Sequence, residues 1–96
     1  MHILQIEHAT TGYDTWKRAF DSDPAGREQG GVRRYRISRP VEDPDYIVVD
    51  LEFDDAERAV AFRGALERMW ATPQAQQVLG GTPQVRLIET VESVAF

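Results

Sequence analysis

A single α+β domain with the element order β-α-β-β-α-β is what the chain predicts, on three observations. Four separated segments alternate apolar and polar residues with a period of two, and two others carry apolar residues at helical spacing. Glycine, proline and aspartate clusters lie between most of them. At 96 residues there is room for one domain, 1–96, and no second core.

The first strand is expected over 2–9, with Leu4 and Ile6 on one side together with His2 and His8, and Gln5 and Glu7 on the other. Thr11 and Asp14 have capping-box spacing, and Tyr13, Trp16 and Phe20 then form an apolar stripe on the first helix, with the Lys17 stem beside it. The run 21–26, with Pro24 and Gly26, stops that helix. Gly30 and Gly31 introduce a strand over about 32–39, and a turn through Pro40 and Pro44 leads to a third over about 45–53. Tyr46-Ile47-Val48-Val49 is the most β-prone run, which predicts a central, buried strand. Asp54 with Glu57 reads as the cap of a second helix whose core face is Ala59, Phe62, Leu66, Met69 and Trp70. Thr72-Pro73 starts a short helix that Gly80-Gly81 closes, and a last strand is expected over about 85–91.

Two β-α-β halves with the helices on one side give a sandwich of ferredoxin-like type with a four-stranded antiparallel sheet. By alternation, one sheet face collects Leu4, Ile6, Tyr35, Ile37, Ile47, Val49, Leu51, Phe53, Val85, Leu87 and Val91, and it must meet the helices. The other mixes Gln5, Glu7, Arg34, Arg36, Asp50, Glu52, Arg86, Thr90 and Glu92 with Val32, Tyr46, Val48 and Ile88. That mixture suits a solvated face or a wet interface between two copies. Val48 and Ile88 favour a homodimer through this open face.

Composition excludes several classes. There is no cysteine, so neither disulfides nor thiolate chemistry are available. The net charge is −5, which repels phosphate backbones; Arg33, Arg34, Arg36 and Arg39 lie on a strand and divide between its faces. The third strand offers only Tyr46 on its open face, beside two acids, so no RNA-stacking platform forms. No phosphate loop follows Gly30-Gly31, where Val32 stands in place of the required lysine. His2 and His8 would stand ~20 Å apart along a strand without a third ligand, so no metal site is expected. No apolar run approaches the ~18–20 residues of a membrane span, and the start lacks a leader pattern, so a cytoplasmic protein is expected.

The stretch Gly31 to Phe62 resembles the dimeric α/β-barrel proteins, and within them it is most similar to the antibiotic-biosynthesis-monooxygenase-like group. The shared features are a strand after glycine, the turn Asp43-Pro44-Asp45, a strand ending Glu52-Phe53, and a helix that opens on acids and runs Ala59 to Phe62. These cover about a third of the chain, while the order of elements agrees over nearly all of it. The resemblance implies a dimeric barrel. It also implies a range of activities that includes quinone-forming monooxygenases working without metal or flavin, haem-degrading enzymes, isomerases and stress proteins. None of the asparagine–tryptophan catalytic sets of those monooxygenases matches positions here.

What the residues themselves offer is a pocket between helices and sheet. His8 ends the first strand on the helix side and Tyr35 shares that face, while Trp16, Phe20 and Trp70 come from helices. Such a set fits a cofactor-free, monooxygenase-like enzyme acting on a small planar organic molecule, with His8 as base, Tyr35 as hydrogen-bond donor, and Trp16, Phe20 and Trp70 as walls. The same aromatics could equally fill the core, leaving a non-catalytic dimeric ligand-binding or stress-associated module.

Overall fold

The computed structural model describes residues 1–96 and contains four strands and three helices. In chain order these are β1 (His2–Ala9), α1 (Tyr13–Asp21), β2 (Val32–Ser38), β3 (Tyr46–Phe53), α2 (Ala56–Trp70), α3 (Pro73–Gln76) and β4 (Gln84–Glu89). The strands form one sheet in the order β2-β3-β1-β4, and every neighbouring pair is antiparallel. The α+β ferredoxin-like expectation holds. β1 and β3 are central because they carry the cleanest alternation; every second residue of β3 (Ile47, Val49, Leu51, Phe53) is buried.

Leu4 and Ile6 of β1 meet Leu51 and Val49 of β3 in register, and this apolar grid packs against Ala59, Phe62 and Leu66 of α2 and Trp16 of α1. Each fully buried large side chain contributes roughly 1.5–3 kcal/mol. Met69 and Trp70, expected on the core face of α2, are partly buried and pack at its margin.

Four local expectations are corrected. Val32 lies on the helix side, opposite Phe53, because a bulge between Val32 and Arg34 inserts Arg33 and resets the alternation. The last strand stops at Glu89, and Val91 stands 89% exposed instead of facing the helices. Gly12, not Thr11, is the N-cap of α1; the Thr11 hydroxyl instead donates to the Gln77 carbonyl at 2.9 Å. Asp55, not Asp54, caps α2, accepting the Arg58 backbone N–H at 2.8 Å.

On the open face the register sets Arg36, Asp50, Gln5 and Arg86 side by side across all four strands. Gln5 Nε2 donates to Asp50 Oδ1 at 3.1 Å, and the Tyr46 hydroxyl donates to Glu7 Oε1 at 3.0 Å. That bond to a carboxylate pushes the Tyr46 phenol pKa above its ordinary value.

The segment after α3 is fastened to the end of β1. Gly80 N donates to the Ala9 carbonyl at 2.8 Å and Thr11 N to the Val78 carbonyl at 3.2 Å. A Cβ at Gly80 would stand 2.7 Å from the Thr10 carbonyl oxygen, a backbone atom that cannot rotate away. At Gly64 of α2 it would meet only the tip of Arg68, at 3.5 Å. Urea unfolding should therefore separate the two substitutions by sign. Gly80→Ala is expected to lose about 1–3 kcal/mol through overpacking. Gly64→Ala should gain about 0.5–1 kcal/mol from reduced unfolded-chain entropy.

Candidate functional site

A cavity of about 400 Å³ lies between the sheet and the helices, and 14 of its 21 lining residues are hydrophobic. Such a lining favours an apolar body with few polar contacts. Ile6, Val49 and Leu51 of the sheet contribute, as do Phe62 and Leu66 of α2. Phe62 of α2 lies against Phe53 of β3 with ring centres 5.8 Å apart, while Trp16 of α1 lies against His8. The segment 72–79 closes the space with Thr72, Val78 and Leu79.

His8 is 4% exposed and lines this cavity. Its Nδ1 lies 2.7 Å from the Ala9 carbonyl oxygen. A carbonyl only accepts, so Nδ1 carries the proton and the neutral ring presents Nε2 as a lone-pair acceptor. Burial lowers the His8 pKa below its ordinary 6.5, against a smaller opposing effect of the Ala9 carbonyl. The ring is therefore neutral, with an available base, at neutral pH.

An aromatic chain runs outward from this histidine. His8 meets Trp16 edge-on with ring centres 6.2 Å apart, Trp16 meets Phe20 at 5.1 Å, and Phe20 meets the edge of Tyr35 at 5.1 Å. Each such contact adds about 0.5–1.5 kcal/mol beyond its buried area. Trp16 and Phe20 share one stripe of α1, which is why their spacing was legible, and Trp70 joins the lining from the end of α2.

Of the five expected site residues, His8, Trp16, Phe20 and Trp70 line one space. Tyr35 does not. It occupies the helix side of β2, opposite Leu51, but remains 44% exposed on this edge strand. Its ring lies against Phe20 and lines an adjoining polar cleft instead.

Sequence reasoning missed Asp23 and Arg27, which line both spaces. The loop after α1 turns back on itself through Asp23, at φ +52°, a left-handed conformation that aspartate tolerates. Asp23 Oδ1 accepts the Arg27 backbone N–H at 2.9 Å, and the Arg27 guanidinium lies 3.9 Å over the Phe20 ring while its Nη1 donates to the Phe20 carbonyl at 2.7 Å. In the sequence these were only turn residues and one more cation.

This strand order with both long helices on one side, and a cavity beneath them, defines a ferredoxin-like α+β domain, and among solved structures it is matched by antibiotic biosynthesis monooxygenases. SnoaB, a cofactor-independent oxygenase from Streptomyces nogalater, is 16% identical at a TM-score of 0.71, covering 97% of this chain and 95% of that one. A protein from Bordetella bronchiseptica, provisionally described as an antibiotic biosynthesis monooxygenase, is 14% identical at 0.71, covering 95% and 98%. A dimeric ferredoxin-like protein from an uncultured marine organism is 11% identical at 0.64, covering both chains in full. At these identities the likeness is one of fold. No protein-family model matches the sequence, and no curated protein sequence matches it either.

The buried neutral histidine has a consequence for stability. Its folded pKa is depressed, so the unfolded chain binds a proton first as pH falls. Stability should decline as pH drops below about 6.5 and keep declining until the depressed value is reached. Urea titrations at several pH values should show this slope in the wild type and a shallower one in His8→Gln.

Proposed function

We propose that the protein is a cofactor-independent, monooxygenase-like enzyme acting on a small planar organic molecule. The observation that carries this reading is His8, a buried neutral base with its tautomer fixed, set in an apolar, aromatic-walled cavity. A polycyclic phenol would slide between walls that include Trp16, Phe20 and Trp70, and His8 Nε2 would take the phenolic proton. The resulting phenolate is electron-rich enough to react with dioxygen at a ring carbon. The peroxide so formed takes the proton back from His8, and its outer oxygen then leaves as water together with that carbon's hydrogen, so that a quinone remains with one oxygen atom of the dioxygen retained. The substrate supplies all the electrons. Tyr35, from the adjoining cleft, would donate a hydrogen bond to whatever part of the substrate reaches past Phe20.

A ligand-binding module without turnover is the second reading, and the largely apolar lining favours it, since such walls retain a ligand without demanding a reaction. Either way we infer a homodimer formed through the open sheet face, closing two sheets into a dimeric α/β barrel. The dimeric description of one matching structure and the exposed Ile88, set in register beside Ile3, support this.

Oxygen uptake and quinone absorbance, followed over a panel of polycyclic phenols, test the enzyme reading. For any phenol turned over, His8→Ala should lower kcat about 10²–10⁴-fold, as expected for loss of a general base. Unchanged turnover in that variant rejects the role given to His8, and saturable binding without conversion across the panel selects the second reading. Native mass spectrometry should show a dimer, and Val48→Asp with Ile88→Asp should shift it to monomer.

A further inference from the structure

The proposed ligand cavity does not end in solvent at every side. Asp23 and Arg27 also line a second cleft of about 560 Å³, whose remaining walls include Tyr35, Arg33, Arg34 and Arg58. Seven of its nine lining residues are not hydrophobic, so it is a polar annex to an apolar chamber. Four are arginines and two, Asp23 and Glu28, are acids.

The arginines are not saturated. Arg33, Arg34 and Arg58 approach Asp54, Glu52 and Asp55 at 3.6 Å in each case, beyond good hydrogen-bonding distance, and more than half of each arginine side chain is exposed. Exposed pairs of that kind are weak and exchange readily for a better acceptor. Arg27 differs, because its side chain is only 17% exposed. Its guanidinium is clamped over Phe20, with Tyr35 at 5.1 Å, and one Nη1 hydrogen is committed to the Phe20 carbonyl. Asp23 lies 3.6 Å from the same Nη1, and its Oδ1 is already engaged by the Arg27 backbone N–H. The Arg27 Nε and Nη2 hydrogens have no protein acceptor within hydrogen-bonding range. Gly31, at φ +99°, keeps the cleft floor open: a Cβ there would stand 2.8 Å from Arg58 Cδ.

Resting on the ligand reading above, we propose that the ligand is an acidic planar molecule. Its apolar rings occupy the chamber beside His8, and its carboxylate or equivalent anionic group is held by Arg27 where the chamber meets the cleft. Arg33 and Arg58 form an outer cationic rim, and the Tyr35 phenol is a neutral donor beside it. Arg27 sets specificity, since a planar guanidinium fixed by stacking offers paired donors to a carboxylate.

Quenching of Trp16 and Trp70 fluorescence tests this with two probes of the same shape, 2-naphthoate and 2-naphthamide, at about pH 8, where His8 is uncharged. The full-length protein should bind the acid about tenfold more tightly than the amide at low salt, and added salt should narrow the gap. Arg27→Met, which keeps an apolar stem over Phe20, should abolish the preference while amide binding persists. Because Arg27 also braces the loop, the exposed pair Arg33→Gln with Arg58→Gln provides an independent variant and should weaken acid binding alone. Equal binding of both probes, or a preference that survives in both variants, overturns the proposal and leaves the cavity reading intact. Failure of both probes to bind the wild type removes the two readings together.

Discussion

The Ala9 carbonyl is the point on which the site depends. It accepts the His8 Nδ1 hydrogen at 2.7 Å and the Gly80 N–H at 2.8 Å. One bond fixes which imidazole nitrogen is free, and the other brings in the segment that carries Val78 and Leu79 over the cavity. A backbone carbonyl has two lone pairs and can serve both without loss. The close approach that Gly80 permits is what allows the second bond, since a side chain there would push the segment away from β1. Base orientation and cavity closure are thus set by a single acceptor at the end of a central strand.

From that point outward the site changes character in steps. Around His8 the walls are apolar, which lowers the cost of a neutral imidazole relative to a charged one. Trp16, Phe20 and Tyr35 then carry the aromatic surface from the buried end of β1 to the exposed edge at β2. Arg27 lies across the Phe20 ring where this surface reaches polar ground. A gradient of that kind, from a buried imidazole to an exposed cationic rim, would suit the amphipathic ligand proposed above without any moving part.

The elements were legible wherever periodicity and burial agree. β1 and β3 alternate because both are covered on one side, and the stripe Ala59, Phe62, Leu66 repeats at helical spacing because α2 lies on them. Legibility failed where a tertiary contact competes with a local rule. Thr11 has the residue type of an N-cap, but its hydroxyl is taken by Gln77, 66 residues away, so Gly12 caps the helix without a side chain. Arg33 is the extra residue of a bulge, and nothing in Val-Arg-Arg-Tyr marks which arginine loses its partner, so Val32 was sorted to the wrong face.

The same division holds for the function. By itself the sequence determined the α+β class, the central place of β3, the absence of thiol chemistry, and the helix-facing sides of β1, α1 and α2 that carry His8, Trp16, Phe20 and Trp70, because each follows from residue type and spacing along its own element. Only the tertiary structure decided that these aromatics surround a space instead of filling it, because that depends on how far two helices stand apart above the sheet. It also decided that Tyr35 belongs to a neighbouring cleft, and that Asp23 and Arg27 join the two. Their positions arise from a loop that folds back across α1, a path set by contacts between residues and not by any local pattern.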